Sequence, residues 1–248
     1  MSAALQVDRL CRSFGALNVT RDVDISLAAG ARTALIGPNG AGKTTLVNLI
    51  SGSLKPSSGT VRFQGQDVSG LDQAARARLG LVRTFQVTRL FKALTVADNV
   101  RLAVLQRTGK ASNFWTHVGR VDGLQEEVLR VLGLLRLADR AGTIVASLAY
   151  GEQRLVEIAL AIAMQPVVLL LDEPAAGVPQ GESEVIFEAL AQLPQDMAVL
   201  LIEHDMDLVF RFAREIIVLV AGGVMTSGTP AEVAADERVR KLYLGEGI

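Results

Sequence analysis

Residues 37–44 are the part of the chain with the clearest capacity for chemistry. Their sequence, Gly-Pro-Asn-Gly-Ala-Gly-Lys-Thr, fits the pattern G-x-x-x-x-G-K-[ST]. Glycines allow backbone N–H groups to turn inward around phosphate oxygens, and Lys43 adds a cation for the β- and γ-phosphates. The hydroxyl of Thr44 is a ligand that Mg²⁺ accepts. The sequence therefore predicts a loop that binds a nucleoside triphosphate through Gly37, Pro38, Asn39, Gly40, Ala41, Gly42, Lys43, Thr44 and Thr45.

A second pair of candidates, Asp172 and Glu173, directly follows the apolar run at residues 167–171. A buried strand that ends in adjacent carboxylates can deliver the first acid to a metal ion and leave the second to polarise water. Strands that end in acids are common, so the pair gains its weight from the phosphate loop upstream. Together the two motifs predict a Walker A loop and a Walker B strand.

These motifs sit among elements that alternate between strand and helix. Residues 33–36 fit a short strand before the loop, and residues 45–50 fit a helix that ends at Gly52. After Pro166 the pattern predicts strands at 167–171, 199–202 and 216–220, and helices at 182–193 and 206–213. Such alternation is typical of a parallel sheet covered by helices, whose buried strands are continuous apolar runs.

Two regions depart from this alternation. Residues 5–27 alternate between apolar and polar positions with a turn signal at Phe14-Gly15, which predicts two strands. Residues 90–164 are mostly helical, with a helix start at Thr95 and apolar residues at helical spacing from 124 to 135. We predict one domain over residues 1–248, with an α/β core from 1–89 and 165–248 and an inserted helical subdomain over 90–164.

Composition limits the partners of the chain. It has 248 residues, 50% of them hydrophobic, and 25 basic against 26 acidic side chains, which argues against nucleic acid as the main partner. The single cysteine, Cys11, excludes an intrachain disulfide and fits a reducing compartment. Mean hydropathy is high at +0.34, yet every apolar run is far shorter than the ~20 residues of a membrane-spanning helix. The first residues lack a signal-peptide pattern, and we expect no membrane span.

Residues 147–154, Ser-Leu-Ala-Tyr-Gly-Glu-Gln-Arg, complete the set of motifs. They resemble the signature motif of ATP-binding cassette (ABC) proteins, and the chain order of all motifs agrees with that family. Segments within 83–100, 148–154, 172–177 and 243–246 look like those of the ATPase subunits of branched-chain amino acid importers. The resemblance implies an α/β P-loop NTPase with a parallel-sheet core, an N-terminal antiparallel β subdomain and an inserted α-helical subdomain.

Residue roles follow from the same resemblance. Phe14 would stack on adenine, the alternative being a core phenylalanine beside a turn. Glu173 would be the general base, and His204 would contact the γ-phosphate and orient the catalytic water. His204 follows the strand at 199–202, where doubly wound folds present ligands, and this placement favours function over a structural role. The catalytic candidates are Lys43, Gln86, Glu173 and His204; the metal candidates are Thr44, Gln86 and Asp172; the contacts to nucleotide on a second subunit are Leu148, Ala149, Tyr150, Gly151, Glu152 and Gln153.

Four further residues bear on the predicted site: two differ from the usual pattern of the family, and two flank His204. Ala149 stands where many family members carry serine, so no hydroxyl reaches the phosphate from that position. Pro179 replaces a carboxylate that is expected to communicate between the two sites, which puts coupling between subunits in doubt. Glu203 and Asp205 flank His204, and we expect them at a solvated loop edge, the alternative being that they tune the pKa of the histidine.

The implied cofactors are ATP and Mg²⁺. The implied partners are a second ABC ATPase subunit, as a homodimer or heterodimer, integral-membrane permease subunits and, through them, a substrate-binding protein. Closure of the dimer around ATP would drive transport from the cytoplasmic face of the inner or plasma membrane. Two alternatives stay open: a motor for another cargo, such as urea, short amides or lipopolysaccharide, and a soluble ABC-type assembly ATPase. A P-loop kinase or GTPase is disfavoured because the signature segment would have no purpose there.

Overall fold

The computed structural model describes residues 3–84, 90–110 and 123–244. The chain forms two compact units. The first contains Met1–Leu81, Val167–Glu173 and Gln195–Ile248, and the second contains Val82–Pro166 and Pro174–Pro194. Within the described residues, no helix has both the length and the apolar composition needed to span a membrane.

Strands and helices alternate along most of the described chain. The strands are β1 (Ala3–Phe14), β2 (Leu17–Ala28), β3 (Arg32–Ile36), β4 (Ser58–Phe63), β5 (Gln66–Asp67), β6 (Leu81–Arg83), β7 (Val168–Asp172), β8 (Ala198–Ile202), β9 (Glu215–Val220) and β10 (Gly223–Gly228). The helices are α1 (Lys43–Ser51), α2 (Gln73–Leu79), α3 (Val96–Arg107), α4 (Leu124–Leu134), α5 (Tyr150–Ala163), α6 (Gln180–Ala191), α7 (Met206–Phe212), α8 (Pro230–Ala235) and α9 (Glu237–Leu244).

An antiparallel sheet of order β2-β1-β4-β5 opens the first unit. Phe14 of β1 pairs with Leu17 of β2 across a turn in which Gly15 has a φ of 59°. Because glycine adopts positive φ without steric cost, Phe14-Gly15 is a natural place for the chain to reverse. The predicted pair of strands with a break at this point is confirmed.

A second sheet of the first unit carries the parallel strands. Its order is β10-β9-β3-β8-β7, with β6 at the edge where the first unit ends. Strand β3 lies between β8 and β9 and is parallel to both, β7 is parallel to β8, and β10 is antiparallel to β9. Every position of β3, β7 and β8 is buried, as expected of parallel strands covered on both faces. The predicted parallel-sheet core is confirmed.

A buried arginine fixes the helix that follows the phosphate loop. The Arg76 side chain is 1% exposed, and its guanidinium donates to the carbonyl oxygens of Leu49 at 2.8 Å and Ile50 at 2.7 Å. The last carbonyls of a helix have no partner within the helix. Arg76 therefore satisfies the C-terminal end of α1 and holds that helix in the core of the first unit.

The second unit contains α3, α4, α5 and α6. Helix α3 begins as predicted, with the Thr95 hydroxyl accepting the N–H of Asp98 at 3.1 Å. The compact unit extends beyond the predicted subdomain at 90–164, because α6 packs against α5 and brings Pro174–Pro194 with it. Helix α6 also starts earlier than the predicted residue 182, since Pro179 precedes it with a φ of −55° that suits a first helical turn.

Candidate functional site

Three segments that the sequence singles out follow strands of the parallel sheet at the carboxyl ends of those strands, here called the sheet edge. The phosphate loop follows β3, the Asp172-Glu173 pair closes β7 and the Glu203-His204 pair follows β8. The strand ends are level, because Ile202 of β8 pairs with residues at the ends of both β3 and β7. Ligands of doubly wound folds bind in the crevice beyond the carboxyl ends of the strands. The first unit therefore places the phosphate loop, Asp172, Glu173 and His204 at the same ends of the parallel strands.

Glycines give the phosphate loop its shape. Gly42 has a φ of 100°, which residues with side chains disfavour. A Cβ at Gly42 would lie 2.7 Å from the carbonyl oxygen of Val19, and one at Gly37 would lie 2.1 Å from that of Leu219. Both separations are far inside van der Waals contact, so a larger residue would push the loop away from β2 or β9. The loop is thus held by close backbone approach on two sides.

The ammonium group of Lys43 lies over the carbonyls of its own loop. Its Nζ donates to Gly37 O at 2.5 Å and to Pro38 O at 3.0 Å. Burial lowers the pKa of Lys43, and the nearby carboxylates of Glu173 and Asp172 oppose that shift. The lysine and the two acids therefore share one electrostatic environment, which a triphosphate and its metal would also enter.

Helix α1 begins without a side-chain cap. Its N-cap is Gly42, and its first turn holds no acidic residue. The free N–H groups at a helix start carry the positive end of the helix dipole and attract anions. Thr44 is exposed in this first turn and Thr45 is half-buried. The start of α1 can therefore receive phosphate oxygens, with a hydroxyl at the same place for a metal ion.

The backbone turns sharply at the candidate base. Glu173 has a φ of 47°, in a region where a non-glycine residue costs roughly 1–3 kcal/mol and which is enriched at functional sites. Its N–H donates to Ile202 O at 2.9 Å, which keeps the residue tied to β8. Asp172, one residue earlier, is 5% exposed. Strand β7 therefore ends at the buried Asp172, and the chain turns at Glu173 directly after it.

Glu203 is not the solvated residue that the sequence suggested, and that expectation is wrong. Its side chain is 2% exposed, whereas the adjacent His204 side chain is 70% exposed. Glu203 Oε2 accepts the backbone N–H of His204 at 3.0 Å and lies 3.5 Å from Nδ1 of the same residue. Asp205 is exposed as expected and caps α7 by accepting the N–H groups of Asp207 and Leu208. The buried carboxylate of Glu203 thus holds His204 at the sheet edge. The position of Glu203 directly after a buried strand was the sequence feature that could have indicated its burial.

Phe14 lies at the surface, so the alternative of a core phenylalanine is wrong. Its side chain is 47% exposed, and the guanidinium carbon of Arg12 lies 4.6 Å from the centre of the ring. The same hairpin carries Val19, whose carbonyl approaches Gly42 of the phosphate loop. An exposed ring on a hairpin that contacts the loop is compatible with stacking on a base.

The C-terminal helix α9 also reaches the phosphate loop. Val239 and Leu242 pack in the core cluster that includes Ile36, the last residue of β3. Burial raises the pKa of the Tyr243 hydroxyl, and the nearby backbone of Gly37 opposes that shift. Tyr243 was not among the predicted site residues, because no local pattern signals a contact between such distant parts of the chain.

The signature segment begins α5 in the second unit. Ala149 is the N-cap, and its N–H donates to Glu152 Oε2 at 3.1 Å. The other carboxylate oxygen of Glu152 accepts from Arg140 at 2.9 Å. Gln153 Nε2 donates to the carbonyl oxygen of the buried Leu148 at 3.0 Å. Glu152 and Gln153, both predicted nucleotide contacts, therefore bind the start of their own helix.

The two remaining signature residues face a neighbouring segment of the same unit. The N–H of Gly151 donates to Glu182 Oε2 of α6 at 3.0 Å. Tyr150 is 42% exposed, and the Arg154 guanidinium lies 5.5 Å from the centre of its ring. The contact between Gly151 and Glu182 was not anticipated from the sequence.

One predicted site residue, Gln86, lies outside the described part of the chain. The predicted role of Gln86 at the metal and the attacking water stays a prediction.

Thr44 and Asp172 are the predicted metal-binding residues that the structure describes. Within them, no group of three or more His, Cys, Asp or Glu side chains is arranged to hold a metal ion. Mg²⁺ usually keeps several waters and takes one or two protein oxygens together with substrate phosphates. Thr44 and Asp172 offer such oxygens at the sheet edge, so these residues fit a magnesium ion that arrives with a nucleotide.

Comparison with known proteins gives the class of this chain. A family profile described as ABC transporter matches residues 20–176, more than half of the sequence. The chain belongs to this family, and it is a nucleotide-binding ABC ATPase. The predicted family and fold class are confirmed. A second profile, described as branched-chain amino acid ATP-binding cassette transporter, matches residues 224–248.

Individual relatives are similar over the whole length. The chain is 38% identical over 252 residues to the high-affinity branched-chain amino acid transport ATP-binding protein LivG of Escherichia coli K12, with 98% of both sequences covered. It is 37% identical over 247 residues to the lipopolysaccharide export system ATP-binding protein LptB of Acidithiobacillus ferridurans, with 99% and 98% covered. Among solved structures, the ADP conformation of MJ1267, an ATP-binding cassette of an ABC transporter, has a TM-score of 0.86 at 29% identity, with 99% of this chain and 100% of that one covered.

Proposed function

We propose that this chain is the ATP-hydrolysing subunit of an ABC importer for branched-chain amino acids. The observation that carries the proposal is the shared sheet edge, at which the phosphate loop meets Asp172, Glu173 and His204. The cargo class rests on the similarity to LivG along the full chain and on the profile that matches residues 224–248.

The nucleotide is ATP, held by its phosphates and its base. Backbone N–H groups of residues 37–45 and the uncapped start of α1 bind the phosphate oxygens. The Lys43 ammonium, which lies on two loop carbonyls, exchanges them for the β- and γ-phosphates. Phe14 stacks on adenine from the hairpin whose Val19 touches Gly42.

Hydrolysis uses the acids at the ends of β7 and β8. Thr44, Asp172 and Gln86 would hold Mg²⁺, which would neutralise charge on the phosphates. Glu173 accepts a proton from the attacking water as the bond between the β- and γ-phosphates breaks. His204, held by the buried Glu203, contacts the γ-phosphate and orients the water.

A second ABC subunit encloses the nucleotide. It presents the segment equivalent to residues 148–153 to the phosphate, and the partner is either a second copy of this chain or a related ATPase. ATP stabilises the closed dimer because it makes contacts that exist only in that state, and hydrolysis removes them. The closing and opening motion passes to integral-membrane permease subunits, which receive cargo from a substrate-binding protein. The chain thus works as a peripheral protein on the cytoplasmic face of the membrane. Residues 90–164 form its helical subdomain.

A second cargo is supported by one specific observation. LptB, named for lipopolysaccharide export, is 37% identical over nearly the full chain, almost as similar as LivG. The profile at residues 224–248 favours the amino acid importer.

Co-purification from the native membrane tests the proposal. An affinity-tagged chain should retain integral-membrane permease subunits, and the reconstituted complex should take up leucine, isoleucine or valine only with ATP. Retention of lipopolysaccharide export components would support the second cargo, whereas a chain that binds no membrane protein would be a soluble assembly ATPase. A Glu173→Gln complex should bind the same subunits without uptake, which separates assembly of the complex from the hydrolysis that uptake requires.

A further inference from the structure

The signature glycine is engaged by a carboxylate of the same chain. Glu182 Oε2 lies 3.0 Å from the backbone nitrogen of Gly151, at the start of α5. A Cβ at Gly151 would lie 2.7 Å from that same oxygen. The carboxylate therefore sits on the N–H group at the positive end of the 14-residue helix α5, where an anion is favoured.

A neighbouring proline explains why Glu182 is free to make this contact. Glu182 is the third residue of α6, whose N-cap is Pro179. A glutamate at this position normally accepts the N–H of its own N-cap, as Glu232 does from Thr229 at 2.7 Å in α8. Proline has no N–H. The Glu182 carboxylate therefore cannot cap its own helix and accepts from Gly151 instead.

Further contacts hold the segment before α6 against the signature helix. Arg154 Nη2 donates to Ala176 O at 3.4 Å. A Cβ at Gly177 would lie 3.6 Å from ring atoms of Tyr150, so this glycine lies close to that ring. The contact between Glu182 and Gly151 is thus one of several between residues 176–182 and the start of α5, and it is built into the packing of the second unit.

We propose that Glu182 competes with the nucleotide for the N–H of Gly151. This inference rests on the proposed function, in which Gly151 meets the γ-phosphate of ATP bound to the second subunit. One N–H cannot serve a carboxylate and a phosphate together, and two anions at one helix start repel each other. Glu182 occupies the site in the separate chain and is displaced when the dimer closes. The contact therefore opposes closure and raises the ATP concentration that closure requires.

Dimer formation in a hydrolysis-deficient background tests the competition. Sedimentation equilibrium with Mg-ATP would give the dimer dissociation constant of Glu173→Gln and of Glu173→Gln with Glu182→Gln. The neutral, isosteric glutamine should lower this constant about tenfold, equivalent to ~1.4 kcal/mol. Glu184→Gln carries the same charge change on the same helix at an exposed position, and as a matched control it should leave the constant unchanged.

A second variant should release the N–H of Gly151 from Glu182 while keeping the glutamate itself. Pro179→Ser supplies an N–H and a hydroxyl at the N-cap, so that residues 179–182 form a capping box and Glu182 turns back to its own helix. This variant should also tighten the dimer, and thermal melting verifies that each variant is folded. An unchanged or weaker dimer in both folded variants would overturn the inference. If the Glu173→Gln parent itself fails to dimerise with ATP, the failure lies with the proposed function, because the competition needs a site to compete for.

Discussion

The contact between Glu203 and His204 makes a quantitative prediction about catalysis. Glu203→Gln keeps the shape of a side chain that is only 2% exposed. It removes the negative charge that lies 3.0 Å from the backbone nitrogen of His204 and 3.5 Å from Nδ1 of the His204 ring. Hydrogen bonds to charged groups contribute about 1.5–3 kcal/mol, and each 1.4 kcal/mol changes a rate tenfold. Glutamine retains one acceptor oxygen, so we expect the lower end of that range. The variant should lose about tenfold in kcat, because His204 is less firmly oriented.

Affinity for nucleotide separates this positioning role from a general loss of structure. The role assigned to Glu203 is to orient His204 and not to bind phosphate, so KM for ATP should change less than about twofold in an assay of phosphate release. Asp205→Asn is the matched control: it removes a charge on the other side of His204, and because asparagine caps a helix about as well as aspartate, it should preserve both α7 and the contact between Glu203 and His204. A Glu203→Gln enzyme with parental kcat, or one that loses only what Asp205→Asn loses, would refute the reasoning.

Three other variants test the site and its surroundings. Glu173→Gln should bind Mg-ATP with parental affinity and accumulate as an ATP-bound dimer while hydrolysis falls at least about 100-fold, and full turnover would exclude Glu173 as the base. Lys43→Ala should weaken Mg-ATP binding by at least about tenfold in calorimetry, and unchanged binding would contradict the assignment of the loop. When Lys43 is present, Glu173→Gln should lower the pKa of Lys43 further in an NMR titration, because the Glu173 charge raises that pKa. The side chain of Arg238, followed by its backbone N–H, lowers the pKa of Asp236 to about 2 from 3.8. The ionised Asp236 therefore stabilises the fold above about pH 4 and loses this effect as pH falls toward 2. The difference in Tm between the parent and Asp236→Asn should vanish over that range, and a constant difference would exclude this link.

Local motifs were legible in the sequence because their physics acts within a few residues. The glycines and lysine of residues 37–44 specify a loop whose backbone few other residues could adopt. The cap at Thr95 uses a side chain that bonds three residues away, and it is present where the pattern predicts it. The strand before Asp172 is identified by its uninterrupted apolar run, since a strand covered on both faces has no exposed side to mark with polar residues.

Long-range contacts were decided by the tertiary structure alone. Glu203 looks like a solvated acid in the sequence, yet the strand order β3-β8-β7 places β8 between two strands and buries the first residue after it. Tyr243 meets Gly37 only because α9 packs beneath the end of β3.

Glu182 shows how the two levels combine. The sequence alone determined that Pro179 has no N–H to donate. That Pro179 is the N-cap of α6, so that Glu182 has no N-cap N–H to accept, was established by the structure. Which group Glu182 then binds depended on the packing of α6 against α5, which brings Gly151 within 3.0 Å. Rules for caps, turns and strands determine which hydrogen bonds each residue is able to make. The packing of distant elements decides which partner the residue then bonds.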